Sequence, residues 1–177
     1  MKDSIICAGF GGQGVVLTGS LIANAALKQG LETCGMVSYG VEMRGGTANS
    51  SAIISDKKIG SPVVVNPTTA IIMNDPSLER FEPKLQENGL LILNTTECKT
   101  RPKRKDIKLI EIKATALAQQ LGNKKVANVI LVGAYIKERK IINLDSAFDV
   151  MPKVLKGKER LVEINKKALE KGYSMVE

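Results

Sequence analysis

The sequence predicts an α/β protein, a three-layer α/β/α single domain with a mostly parallel sheet. Three observations lead there. Short apolar runs alternate with helix-patterned stretches along the chain. The first run passes through a glycine turn directly into a helix. Residues 126–136 (VANVILVGAYI) are apolar on every side, which as a helix demands burial in the core or against another subunit. With 177 residues, 44% of them apolar and 25% charged, the composition suits one domain over 1–177 around one core.

Residues 4–9 (SIICAG) are a short apolar run closed by glycine, the pattern of a buried parallel strand. Residues 14–29 follow as a helix in which Val15, Leu17, Leu21, Ile22, Ala25 and Ala26 are apolar, with Gly30 placed to stop it. Further strands are expected at 33–38, 49–55, 70–74 and 90–94, and a sixth at 107–112. Between the fourth and fifth, Asp75 with Pro76 behind it reads as a helix cap, and Leu78, Phe81 and Leu85 recur on one helical face. The carboxy-terminal part is helical in pattern, and Leu161, Ile164, Ala168 and Leu169 give the last helix one apolar face. Asn128, inside the all-apolar helix, is expected to be hydrogen-bonded, because an unpaired buried amide costs about 1–3 kcal/mol.

The chain has no His and no Trp, and its three cysteines, Cys7, Cys34 and Cys98, are widely spaced. That excludes a four-cysteine iron–sulfur cluster and most familiar zinc sites within this chain, so no metal site is expected. The thiols read as small buried hydrophobes in a reducing cytoplasm. No segment has about 18 unbroken apolar residues, and the first apolar run is too short for a signal peptide, so neither a membrane span nor a leader is expected.

Charge is uneven. Residues 1–88 carry 7 Lys/Arg against 8 Asp/Glu, whereas residues 89–177 carry 19 against 10. Lys99, Arg101, Lys103, Arg104, Lys105 and Lys108 form one dense run. With no aromatic residue interleaved for base stacking, it reads first as a solvated loop, next as a surface for an acidic protein, and last as a nucleic-acid site.

Two loops carry the conspicuous chemistry. Gly9, Gly11 and Gly14 satisfy G-x-G-x-x-G, with Gly12 and Gln13 between, in the required place between strand and helix. Amide hydrogens at such a helix start converge where a phosphate or carboxylate would bind. The alternative is that the glycines only allow close packing of helix on sheet. A dinucleotide would further require an acid at the end of the second strand, yet Glu32 falls at its start. The second loop, SYGVEMRGGTAN over residues 38–49, holds Glu42 and Arg44 before the Gly45–Gly46 pair. These charges suit either ligand contact or a structural or intersubunit ion pair, and both loops are expected at one edge of the sheet.

Together, GFGGQGVVLTGSLIANAA and SYGVEMRGGTANSSAIISDKKIGSP strongly resemble the gamma subunit of 2-oxoacid:ferredoxin oxidoreductases. The likeness continues through Asn74, the segment 89–94 (GLLILN) and the pattern from Ala127–Asn128 to Gly133–Ala134, covering roughly residues 4–137. Its specificity comes from G-x-G-G-Q-G, E-x-R-G-G and the stretch from Ser55–Asp56 to Ser61–Pro62 standing in this order.

The resemblance implies a subunit of an enzyme that oxidatively decarboxylates a 2-oxo acid with coenzyme A, giving acyl-CoA, CO2 and reduced ferredoxin. The wording SYGVEMRGGTAN looks most like the versions acting on 2-oxoglutarate or branched-chain 2-oxoisovalerate. Thiamine diphosphate, Mg and iron–sulfur clusters would lie on alpha, beta and delta partners, because this chain has neither the G-D-G motif followed by Asn nor a cluster ligand set. The chain would not be catalytic alone, and no catalytic residue is assigned. Gly9, Gly11, Gly12, Gln13 and Gly14, with Glu42, Arg44, Gly45 and Gly46, would meet the phosphates of coenzyme A or form subunit interface. When isolated, the chain could bury its interface as a homo-oligomer. A rival from another class is a free-standing nucleotide-binding module using the 9–14 turn.

Overall fold

The computed structural model describes residues 1–39, the side chain of Tyr39 excepted, and 47–177. Six strands form one sheet: β1 (Lys2–Phe10), β2 (Glu32–Tyr39), β3 (Thr47–Ser55), β4 (Thr69–Ile72), β5 (Leu90–Asn94) and β6 (Lys108–Ile112), in the order β2-β3-β1-β4-β5-β6. β1, β4, β5 and β6 pair in parallel, and β3 runs antiparallel to both β1 and β2, so five strands share one direction. The mostly parallel sheet was expected; a reversed strand between the first and second was not signalled by the hydrophobic pattern. Neighbouring strands pair through backbone groups that carry no side-chain identity, so order is decided by packing.

Period-2 alternation gives each face of the sheet its own core. Ile5, Cys7, Ile54, Ile71, Leu90 and Ile92 face one layer, built from α1 (Val15–Lys28), α3 (Ala114–Gln120), α4 (Ala127–Arg139), α5 (Leu144–Val154) and α6 (Val162–Ser174). Ile6, Ala8, Ala70, Ile72, Leu91 and Leu93 face the other, where the short α2 (Asp75–Phe81) supplies Leu78 and Phe81, joined by Leu85 and Cys98. The three layers are therefore unequal, with five α-helices on one side and one on the other among the described residues.

The first helix ends as its glycine predicts. Gly30 has φ +79; its N–H donates to Leu27 O, and Leu31 N–H reaches back to Ala26 O, which satisfies the last carbonyls of α1. The expected cap of α2 is corrected by one residue. Asn74, in extended conformation at the end of β4, accepts Ser77 N–H at 2.9 Å, and Asp75 is already helical. A cap needs non-helical dihedrals, which the strand end provides at 74, and this leaves the Asp75 carboxylate free to hold another segment.

The all-apolar helix lies in the core of this chain. In α4 every residue from Asn128 to Ile136 is buried between the sheet and α6. At its far end the Tyr135 hydroxyl donates to Asp3 Oδ2 at 2.8 Å, and Thr69 Oγ1 donates to Asp3 Oδ1 at 2.9 Å. Burial and the facing Asp3 carboxylate push the Tyr135 hydroxyl well above its ordinary pKa. No helix among the described residues is long and apolar enough to cross a membrane.

Candidate functional site

The carboxyl ends of parallel strands are where helix N-termini and loop amides converge. Here β1 leads into the turn over 9–14, where Gly12 (φ +95) and Gly14 (φ +78) adopt left-handed conformations that side chains disfavour. Gln13 braces this turn from within. Its Oε1 accepts Phe10 N–H at 2.7 Å and its Nε2 donates to Met73 O at 3.4 Å. A Cβ on Gly9 would fall 2.6 Å from that Oε1, whereas Gly11 and Gly12 face open space. Of the five turn residues, Gly9, Gln13 and Gly14 thus shape the turn, and Gly11 and Gly12 present exposed backbone.

Gly14 caps α1 without a side chain, and no acidic residue stands in the first turn. The positive end of the α1 dipole is therefore not offset by a side chain of its own first turn. The Gly14 carbonyl accepts three donors: Thr18 N–H at 3.0 Å, Thr18 Oγ1 at 3.0 Å and Asn128 Nδ2 at 3.1 Å. Asn128 therefore joins the start of α4 to the start of α1, and the expected hydrogen-bonded amide is found. Its Oδ1, however, is buried with no partner among the described residues.

Between these helix starts opens a cleft of about 290 Å³. Gly12, Gln13 and Met73 line one side; Asn94, Glu97 and Thr115 close the next; Lys124, Lys125 and Asn128 complete it. Asn94, at the end of β5, donates from Nδ2 to Thr115 Oγ1 at 2.9 Å, which ties β5 to the start of α3. Two lysines against one glutamate, beside two helix N-termini, make the cleft electropositive. Sequence reasoning missed Asn94, Thr115, Lys124 and Lys125 as wall residues. The one available signal was their position just past apolar strands or at helix starts.

Chemically the cleft suits recognition of an anion. Cys98, two-sided by the α2 core, is pushed up to about 12 by burial, and Cys7 is likewise pushed up to about 12, so both remain protonated thiols at neutral pH. No group of three or more His, Cys, Asp or Glu among the described residues could hold a metal ion. Glu42, Arg44, Gly45 and Gly46 lie outside the described residues. The strands that bracket them end next to the glycine turn, with Phe10 opposite Thr47 and Tyr39 opposite Ala48. The dinucleotide requirement is not met: Glu32 begins β2 at the opposite end of the sheet, and β3 separates β2 from β1.

These features define an α/β protein with an electropositive cleft at the carboxyl end of its sheet. The chain belongs to the pyruvate ferredoxin/flavodoxin oxidoreductase family, whose sequence model matches residues 4–175. It is 34% identical over 167 residues to ketoisovalerate oxidoreductase subunit VorA of Methanothermobacter marburgensis, covering 93% of this chain and 34% of that one. The chain thus spans about a third of the length of this relative. It is 30% identical to 2-oxoglutarate synthase subunit KorC of Methanocaldococcus jannaschii, over 99% of this chain and 94% of that one. Among solved structures, the keto/oxoacid ferredoxin oxidoreductase gamma subunit of Geobacter sulfurreducens superposes with a TM-score of 0.84 at 25% identity, covering 98% and 97% of the two chains. A 2-oxoglutarate:ferredoxin oxidoreductase from Magnetococcus marinus shares the fold at a TM-score of 0.87 and 21% identity, over 98% of this chain and 31% of that one.

Proposed function

We propose that this chain is the gamma component of a multi-subunit 2-oxoacid:ferredoxin oxidoreductase, which oxidatively decarboxylates 2-oxoglutarate or a branched-chain 2-oxo acid with coenzyme A to acyl-CoA, CO2 and reduced ferredoxin. The observation that carries the reading is the likeness to KorC over nearly the whole of both chains. Residues 1–177 act as one gamma-type domain in the cytoplasm. Thiamine diphosphate, Mg and the iron–sulfur clusters belong to alpha, beta and delta partners, and this chain is not catalytic alone.

Its own part is to organise the complex and to shape the approach of coenzyme A. The glycine turn before α1, with Gly11 and Gly12 exposed and Lys124 and Lys125 across the cleft, suits the phosphates of that co-substrate, and Arg44 would add a charge-assisted contact. The rival is a free-standing nucleotide-binding module using the 9–14 turn, and Glu32 at the start of β2 leaves that reading without an acid to hold a ribose.

A native pull-down of the tagged chain from its own cell extract tests the proposal, assayed for oxo-acid-dependent and coenzyme-A-dependent reduction of a viologen dye. Co-purification of larger subunits carrying thiamine diphosphate and iron, with activity on one oxo acid, is the expected result. A chain that comes down alone and inactive refutes the subunit reading.

A further inference from the structure

We propose that residues 99–105 form a basic segment with a pinned backbone that docks the acidic face of another protein, reversibly and through charge. The inference is independent of the oxo acid and of the cleft.

The segment runs alongside α2. At one end the Asp75 carboxylate accepts Lys99 N–H at 3.0 Å and Thr100 N–H at 2.8 Å. At the other, Glu82 Oε1, in a residue only 7% exposed, accepts Lys103 N–H at 2.5 Å and Arg104 N–H at 2.7 Å. Pairs of successive amides thus converge on one carboxylate at each end, with a bend at Thr100 between them. Lys99, Arg101, Lys103 and Lys105 are exposed, while Pro102 and Arg104 are partly buried against the protein. Four exposed cations therefore stand within seven residues on a backbone held at two points.

Three of the nearby acids are committed elsewhere. Asp75 and Glu82 are spent on backbone amides, and Asp106 is paired with Arg104, whose guanidinium also reaches Leu85 O. None of the four exposed cations forms an ion pair among the described residues, and the Lys99 ammonium donates to Thr96 O at 2.9 Å. Because the backbone is pinned, binding would not have to order a flexible loop.

The chemistry selects the kind of partner. Among the described residues no aromatic side chain stands in or beside the segment on the surface: Phe81 is buried, with Arg80 and Lys84 over its ring at 5.2 and 5.7 Å. A stacking platform for bases is therefore missing from this part of the described surface. Residues 95–106 also expose no large apolar side chain, whereas permanent interfaces have an apolar centre. A short charged segment without such a centre suits a transient, electrostatically steered contact with carboxylates.

The test titrates the full chain, in low salt, with a fluorescent peptide of alternating glutamate and serine and, separately, with a thymidine oligonucleotide of equal length. Two variants are compared: K99A/R101A/K103A/K105A, and K153A/K156A/K158A/K167A, which removes equal charge from other exposed positions. Both are checked for native circular dichroism. The expected result is peptide binding that weakens at least about tenfold in the first variant and less than about twofold in the second. Equal losses in both variants, or no peptide binding to the parent chain, would overturn the proposal. Tighter binding of the oligonucleotide, lost with the same four residues, would overturn it in favour of nucleic acid.

Discussion

Asn128 lies against Gly14 so closely that a Cβ at position 14 would fall 2.6 Å from Nδ2 of the asparagine. The same nitrogen donates to the Gly14 carbonyl, so one side chain sets the spacing of two helix starts 114 residues apart in sequence. Gly14 combines this crowding with φ +78, and Gly14→Ala is expected to destabilise the chain by about 2–4 kcal/mol in urea unfolding. Gly11→Ala, facing open space, should stay within about 0.5 kcal/mol of the parent. Comparable losses at both positions would show that the turn, and not the Asn128 contact, limits substitution.

A second close approach joins α4 to α6. A Cβ on Gly172 would overlap the carbonyl of Ile130, and one on Gly133 would overlap that of Leu169, so the helix backbones touch. Neither residue can gain a methyl group without the helices moving apart in a filled core, and Gly172→Ala should cost about 3 kcal/mol or more. Gly60→Ala, with nothing nearby, serves as the control. Thermal unfolding that separates the two variants by less than a few degrees would contradict the packing described.

Thiol reactivity reports on the same core. Cys7 and Cys98 are buried and protonated at neutral pH, whereas Cys34 on the edge strand β2 is only half-buried. Iodoacetamide at mildly alkaline pH should modify Cys34 first in the native chain and all three cysteines after denaturation. Early labelling of Cys7, read by peptide mass, would mean that the sheet opens locally.

Acid should release the pinned segment before it unfolds the core. The hydrogen bond from Lys99 N–H, followed by those from Thr100, holds the Asp75 carboxyl below its ordinary pKa. A depressed folded value means that the stabilisation is present above the ordinary carboxylate pKa of about 3.9 and is lost as pH falls through the folded value. Amide resonances of Lys99 and Thr100 should therefore move together only below about pH 4, and Asp75→Asn should flatten that transition. Movement at neutral pH would assign the change to another group.

Much of the architecture was legible because it is written in local patterns. The buried runs of β1 and β5, the stop of α1 at Gly30 and the burial of α4 follow from periodicity and backbone conformation within a few residues. The cap of α2 was misplaced by one residue because Asn74 and Asp75 are both competent caps, and only the segment at 99–100 draws Asp75 away. Of the cleft, the glycine turn was visible, and Asn94, Thr115, Lys124 and Lys125 were not, since each is an ordinary polar residue until the sheet brings it to the others.

Sequence alone therefore carried the alternation of elements, the turn at 9–14 and the family to which the chain belongs. Folding in three dimensions decided that β3 enters between β1 and β2, that Gln13 spends its side chain on its own turn, and that Asn128 meets Gly14. The division has a physical cause. Helix caps and strand periods arise from contacts a few residues apart, whereas strand order and the walls of a cleft depend on side chains that become neighbours only when the core is packed.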